Sequence, residues 1–148
     1  QADAKIWGWL VEWLRQLNKT GLIQIDAFVL RLFSHLGYRP ILDRCVICGK
    51  TYQQMVKDEL LNKKKSGLYF AGGGLICPDC LAEKRKIGEE IMVCGLKEIS
   101  MMQIFLTAPL SHIQTMAPDE SDAVHRLIYE FALYHSERRI GDWLALPK

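Results

Sequence analysis

The chain has 148 residues, of which 49% are hydrophobic and 24% charged, and its formal net charge is +2. These values are ordinary for a globular protein, and the chain is long enough to bury a core without disulfides. The small net charge argues against a protein that binds polyanions over its whole surface. No secretion signal is recognisable, and charged residues interrupt every apolar run well before the ~20 residues of a membrane-spanning helix.

Two amphipathic helices are predicted in the first part of the chain. The first covers residues 3–18, where apolar side chains recur at helical spacing. The second covers 26–36, with Asp26 as its N-cap and Gly37 as the left-handed residue that ends it. Pro40 prevents a restart nearby.

Two C-x-x-C pairs dominate the middle of the chain. They are Cys45 with Cys48, and Cys77 with Cys80. Four thiolates form the complete tetrahedral set that structural zinc prefers, so we predict one zinc ion bound by these residues. A pair of disulfides and an iron–sulfur cluster are the alternative uses of the same residues. Five cysteines, with four at metal-binding spacing, indicate a reducing compartment.

Residues 44–87 are predicted to form the metal module. A tight turn holds the first pair, a polar insert covers 51–66, and a β-hairpin joins Leu68–Phe70 to Leu75–Ile76. A short helix over 81–87 follows the second pair. Turn, hairpin and helix in this order are typical of a treble-clef zinc finger.

Two more helices are predicted over 96–107 and 122–136. The predicted fold class is therefore mainly α: a helical bundle-like domain with an inserted treble-clef four-cysteine zinc finger that contains a short β-hairpin. We expect one domain over 1–148, helical over 1–43 and 88–148.

No catalytic constellation is recognisable. A four-thiolate site leaves no open position for substrate, and the only His-x-Glu sequence, at 135–137, lies downstream of both cysteine pairs rather than upstream as in nucleobase deaminases. The four histidines show no metal-ligand spacing. Cys94, the fifth cysteine, is interpreted as a small buried hydrophobic residue. We therefore expect a protein that binds or assembles rather than an enzyme.

Basic residues are concentrated around the cysteines. Between Arg44 and Lys86 there are nine Lys or Arg against four acidic residues. Two clusters within this range are candidate contacts to nucleic-acid phosphates, although solvated charges that keep the protein soluble are an equally good reading of either cluster taken alone. The candidates are Lys63, Lys64, Lys65, Lys84, Arg85 and Lys86.

The order of motifs resembles one known family. Leu36-Gly37-Tyr38-Arg39-Pro40 is followed by Leu42-Asp43-Arg44-Cys45-Val46-Ile47-Cys48-Gly49-Lys50, and Tyr69-Phe70 is followed by Gly73-Gly74-Leu75-Ile76-Cys77-Pro78-Asp79-Cys80. This string is similar to the C-terminal part of the bacterial recombination mediator RecO. The similarity covers roughly residues 10–82 and, more weakly, 134–146.

The resemblance implies both a fold and a function. RecO-like proteins have an N-terminal OB-fold and a helical domain with a treble-clef zinc finger, whose ligands correspond to the four paired cysteines. They bind single- and double-stranded DNA, anneal complementary strands, and contact RecR and the C-terminal tail of single-strand-binding protein, which helps to load RecA. They use no catalytic residues. Their expected location is the cytoplasm, at the nucleoid.

The chain departs from the family pattern in three places. No OB-fold sequence precedes the helices, which suggests a fragment; the insert 51–66 is long; and Arg138-Arg139-Ile140-Gly141-Asp142 stands where a basic residue followed by Ser is expected. The competing hypothesis is a zinc-stabilised protein-interaction adaptor without nucleic-acid affinity, which the small net charge favours. A metalloenzyme is disfavoured because four thiolates leave no exchangeable ligand.

Overall fold

The computed structural model describes residues 22–116 and 122–144, and within the last helix it describes the side chains of 123–136. The predicted helix over 3–18 and the C-terminal run from Arg138 to Asp142 fall outside the described residues or side chains. None of the described helices combines the length and the apolar composition of a membrane-spanning segment.

The described part of the chain contains six α-helices and three short strands, which confirms the mainly α fold class with a small sheet. One wide helical turn, Ser34–Tyr38, continues from the first helix. In chain order the elements are α1 (Leu22–Phe33), α2 (Tyr52–Asn62), β1 (Ser66–Tyr69), β2 (Gly74–Ile76), α3 (Pro78–Lys86), β3 (Met92–Cys94), α4 (Leu96–Thr107), α5 (Leu110–Gln114) and α6 (Asp122–Leu144).

The chain divides into two compact units, one of residues 1–39 with 105–148 and one of residues 40–104. The second unit contains the whole of the predicted metal module, 44–87. The organisation as a single domain over 1–148 stays a prediction.

In the first unit, α1 packs against α5 and α6. The helix begins at Leu22, so the prediction of Asp26 as its N-cap was wrong. Asp26 is buried inside the helix, where its Oδ1 atom lies 2.8 Å from Nδ1 of His125 on α6. Burial raises the pKa of the Asp26 carboxyl group, and the hydrogen bond and charge of His125 offset part of that rise. The acidic residue is thus an interhelical partner rather than a cap.

A buried arginine, Arg31, makes further polar contacts in this unit. Nε of Arg31 donates a hydrogen bond to the carbonyl of Phe105 at 2.6 Å, and its guanidinium also donates to the carbonyl of Ala108. Carbonyls at the C-terminal end of a helix lack partners within the helix, so a buried cation there satisfies them. His135 is also buried here, stacked on Tyr38 with ring centroids 4.5 Å apart.

The second unit is built on a three-stranded antiparallel sheet in the order β2-β1-β3. Gly67 in the central strand pairs with Ile76 on one side and with Val93 on the other. The predicted hairpin is confirmed as β1 and β2. The third strand, β3, was not predicted because three residues show no periodicity and no hairpin turn joins β3 to its partner β1. The fully buried apolar core of the unit consists of Met55, Leu68, Leu75, Ile76, Ile99 and Met102.

Helix α2 occupies the segment that the sequence analysis treated only as a polar insert. It begins with a capping box. The backbone amide of Gln54 donates to Oγ1 of Thr51, and the backbone amide of Thr51 donates to Oε1 of the Gln54 side chain. It ends at Asn62, and the residue that follows, Lys63, has a left-handed φ of 55° and caps the helix. Periodicity failed to reveal this helix because Leu60 and Leu61 are 78% and 80% exposed rather than in the core.

The insert helix is tied to the start of α4 at two points. The Tyr52 hydroxyl donates to the carbonyl of Leu96 at 3.1 Å. The backbone amide of Leu96 donates to Oε2 of Glu59 at 3.2 Å. Amides in the first turn of a helix have no partner within the helix, so the Glu59 carboxylate supplies one for α4.

Replacing Gly74 with alanine tests how the hairpin is held. A Cβ atom at this position would lie 2.1 Å from the carbonyl oxygen of Ile41, a backbone atom that cannot move aside without breaking the pairing. We expect Gly74→Ala to lower the free energy of unfolding by about 3 kcal/mol or more, measured by urea denaturation.

Gly73→Ala is the matched control. Its φ is +89°, but nothing lies within 4 Å of an added Cβ, so only left-handed strain of about 1 kcal/mol is expected. Equal losses of stability in the two variants would contradict the predicted steric cause.

Candidate metal centre

The first cysteine pair lies in a loop closed by backbone hydrogen bonds. The Tyr52 amide donates to the carbonyl of Asp43 at 2.9 Å, and the Cys45 amide donates to the carbonyl of Lys50 at 2.8 Å. Inside this ladder the chain reverses through Gly49, whose φ of +81° favours glycine. The reversal brings both thiols of the pair to one side of the loop.

A second set of backbone bonds brings this loop to the hairpin. The Val46 amide donates to the carbonyl of Leu75 at 2.8 Å, and the amide of Leu75 donates to the carbonyl of Ile41 at 2.8 Å. Cys77 then follows directly after β2 and precedes α3, which begins at Pro78. Proline suits the first helical position because no hydrogen bond is lost there. Cys80 therefore lies in the first turn of α3.

The structure brings the four predicted metal ligands together. The Sγ atoms of Cys45, Cys48, Cys77 and Cys80 all lie within 4.8 Å of one another. Four thiolates around a tetrahedral zinc ion would be about 3.8 Å apart, given Zn–S bonds of about 2.3 Å. The separation between the sulfurs of Cys48 and Cys77 is 3.7 Å. The cluster could thus hold a metal ion with little rearrangement.

The pKa values of Cys45, Cys77 and Cys80 are shifted in different directions. Burial raises the pKa of Cys45, but backbone hydrogen bonds from Cys48, Cys77 and Ile47 outweigh it and lower that pKa to about 7. The amide of Cys77 donates directly to the Cys45 sulfur at 3.3 Å. Burial and the neighbouring sulfurs raise the pKa of Cys80, and burial first among several causes raises that of Cys77. A cation bound by the four cysteines would remove this conflict, because it would stabilise all four thiolates together.

Cys94 belongs to β3 and is not among the four clustered thiols. It is buried, and burial together with the charges of Glu98 and Glu59 raises its pKa to about 12. The group therefore stays a neutral thiol at neutral pH. This agrees with its interpretation as a small hydrophobic residue.

The structure places the basic residues predicted to contact nucleic acid in the same unit as the cysteines. Lys63, Lys64 and Lys65 are exposed between α2 and β1. In the last turn of α3, Nζ of Lys84 lies 5.7 Å above the centre of the Tyr69 ring, and Lys86 is 3.3 Å from Glu83. The ammonium groups of Lys63, Lys64 and Lys65 are therefore more accessible to a ligand than those of Lys84 and Lys86.

Lys50 was not singled out from the sequence. Its Nζ atom is 2.9 Å from Asp58 on α2 and 3.8 Å from Asp79 on α3, and the hydrogen bond to Asp58 raises its pKa. The same three residues line a notch of about 50 Å³ with Asn62, Lys64 and Pro78. No sequence spacing reveals such a contact, because it depends on how two helices meet.

If the four clustered cysteines bind a metal ion, the metal content of the protein should depend on them and not on Cys94. We expect the protein to carry one divalent ion per chain and Cys77→Ser to lose it, because three thiolates bind far more weakly than a closed set. Native mass spectrometry measures the bound mass directly. Cys94→Ser is the control and should retain the ion; its loss there would show that the fifth cysteine takes part.

Comparisons with known proteins point to one family. The model of the family described as "Recombination protein O C terminal" matches residues 1–144. The DNA repair protein RecO of Symbiobacterium thermophilum is 30% identical over 120 residues, which are 78% of this chain and 42% of that protein. The DNA repair protein RecO of Syntrophomonas wolfei is 38% identical over 72 residues, 47% of this chain and 24% of that protein.

The chain spans less than half the length of these curated relatives. No solved structure shows a significant match to it. The family match covers nearly the whole chain and includes the four clustered cysteines. The chain therefore belongs to the RecO C-terminal family.

Proposed function

We propose that this chain is the C-terminal part of a DNA-repair and homologous-recombination mediator that binds DNA and partner proteins without catalysing a reaction. The observation that carries the proposal is the family match over residues 1–144, with relatives that are named DNA repair protein RecO. The proposed place of action is the cytoplasm, at the nucleoid, where thiols stay reduced.

The metal of the centre is proposed to be one structural zinc ion. Four thiolates whose sulfurs lie within 4.8 Å of one another match the preference of zinc and leave no position for a substrate. Zinc of this kind would stabilise the local fold by on the order of 10 kcal/mol. Its role here is to fix the loop of the first pair, the hairpin and α3 as one rigid body.

A DNA surface is proposed beside the metal centre. Lys63, Lys64 and Lys65 are exposed on one short connection, and Arg85 is exposed on α3. Such groups suit the phosphate backbone and carry no base specificity. A zinc ion with four thiolates has a formal charge of −2, which reduces but does not cancel the local excess of basic residues. Lys84 and Lys86 are proposed as weaker contributors because each already has a neighbour in the protein.

Partner proteins are part of the proposal. Single-strand-binding protein would dock through its acidic, phenylalanine-ending tail, and RecR would bind as a second partner, so that RecA is loaded indirectly. Leu60 and Leu61 are exposed at the end of α2 next to the three lysines. An apolar contact rimmed by positive charge suits an acidic tail with an apolar end.

A protein-interaction adaptor without DNA affinity is the second candidate function. The exposure of Leu60 and Leu61 favours it, because adjacent exposed leucines are typical of docking surfaces. The small net charge of +2 favours it as well. The two candidates differ in their response to salt, since only phosphate binding releases counterions.

A DNA titration separates the two functions. We expect fluorescence anisotropy to show that labelled single-stranded DNA binds the zinc-loaded chain and that the affinity falls steeply with salt. Replacing Lys63, Lys64 and Lys65 with alanine should weaken binding and reduce the slope of log K against log salt by about 2, if each lysine neutralises one phosphate.

The matched control removes the same charge elsewhere. Arg39, Lys97 and Arg126 are exposed and lie outside the two basic clusters, 63–65 and 84–86. Their replacement with alanine should leave the salt slope nearly unchanged. Equal effects of the two triple variants would point to general charge attraction, and absence of binding at low salt would favour the adaptor.

A further inference from the structure

We propose that Cys48 is a site of oxidation by hydrogen peroxide, and that Cys77 then forms a disulfide with it and releases the metal ion. This role is separate from DNA binding. It rests on the metal centre alone, so it can fail or hold whatever the outcome of the DNA titration.

Exposure distinguishes Cys48 from the other cysteines. Cys45 and Cys77 are each 1% exposed, Cys94 is 5% exposed, and Cys80 is half-buried. Cys48 alone among the five is exposed to solvent. This corner of the cluster is therefore where a small oxidant can arrive.

The residues on either side of Cys48 in its turn do not shield it from solvent. Ile47, the residue before it, is 47% exposed, and Gly49, the residue after it, has no side chain. The backbone reverses at Gly49 and leads directly to Lys50, which is turned towards Asp58 and Asp79. Cys48 is therefore the member of the cluster that solvent, and a molecule the size of hydrogen peroxide, reaches first.

A resolving thiol lies within contact distance. The sulfur of Cys77 is 3.7 Å from that of Cys48, across the two pairs of the cluster. A divalent ion bound by the cluster would keep both groups as thiolates, which are the nucleophilic form of cysteine. The cluster therefore holds an attackable sulfur and its partner side by side.

The chemistry is a two-electron oxidation with two steps. The Cys48 thiolate attacks one peroxide oxygen, the O–O bond breaks, and the products are Cys48 sulfenic acid and hydroxide. The Cys77 thiolate then attacks the Cys48 sulfur, an S–S bond forms and a second hydroxide leaves. In sum, two thiolates lose two electrons and one peroxide is reduced to two hydroxides, which become water on protonation.

Loss of two ligands would loosen the part of the fold that follows Cys77. Only Cys45 and Cys80 would remain as thiolates, too few to hold the ion tightly. Helix α3 begins at the residue after Cys77, and the cluster is one of the contacts that hold its N-terminal side to the rest of the unit. We therefore expect oxidation to release the ion and to reduce the order of α3.

The first test uses the unmodified zinc-loaded chain. Hydrogen peroxide is added in small excess, zinc release is followed with a chromogenic chelator, and sulfenic acid is trapped with dimedone at early times. Peptide mass spectrometry should find the first dimedone adduct on Cys48 and, without dimedone, a Cys48–Cys77 disulfide that forms in step with zinc release. Thiol reductant and added zinc should restore the starting form.

Two histidine variants provide a matched pair. Cys48→His and Cys80→His both leave three cysteines and one histidine, a set that structural zinc accepts. Cys48→His removes the exposed sulfur, so peroxide should release zinc about tenfold more slowly than from Cys80→His, which keeps it. Cys94→Ser should behave like the unmodified chain.

Each result bears on the proposal. A first adduct on any cysteine other than Cys48, a Cys45–Cys48 disulfide as the main product, or equal zinc release from the two histidine variants would overturn it. If Cys48→His fails to bind zinc, the dimedone result on the unmodified chain decides alone. An adduct on Cys48 with matching zinc release supports the proposal even if the chain shows no affinity for DNA.

Discussion

The backbone pairing between residues 41–46 and residues 73–75 is the constraint on which the metal centre depends. The hydrogen bonds from Ile41 to Gly73, from Leu75 to Ile41 and from Val46 to Leu75 are each 2.8 or 2.9 Å long. They position two segments that are about 30 residues apart in sequence, so that sulfurs from both can meet. A close approach of two main chains needs a residue without a Cβ atom, and Gly74 supplies it.

Electrostatics of the second unit follow from the same arrangement. The charges of Asp58, Cys77 and Asp79 all act on Lys50, whose ammonium group is thereby paired within the protein. The lysines after α2 have a different position, on an exposed connection. A count of charges from the sequence treats Lys50 and the lysines at 63–65 alike, although the exposed lysines at 63–65 are the ones available to a polyanion. The local excess of basic residues is for this reason smaller in effect than in number.

Sequence reasoning succeeded where the chemistry or the periodicity is strong. The two C-x-x-C pairs identified all four clustered cysteines, the hairpin followed from its glycines, and the helix over 96–107 matches α4. It failed at Asp26, because a capping residue and a buried interhelical partner look the same in sequence. It also missed α2, whose leucines lie outside the core, although the Thr51 and Gln54 capping box was readable. The contact of Lys50 had no local pattern to reveal it.

The contacts of Tyr52 and Glu59 with Leu96 have a consequence for the evolution of the chain. Helix α2 resembles a dispensable insertion in a compact metal module, because most of its residues are exposed. Yet its Glu59 carboxylate accepts from the first residue of α4, and its Tyr52 hydroxyl donates to the same residue. A relative that lost this helix would leave an amide at the start of α4 without its carboxylate, and would need a substitute such as a capping serine or aspartate. Length variation in this segment should therefore be accompanied by a compensating change just before α4.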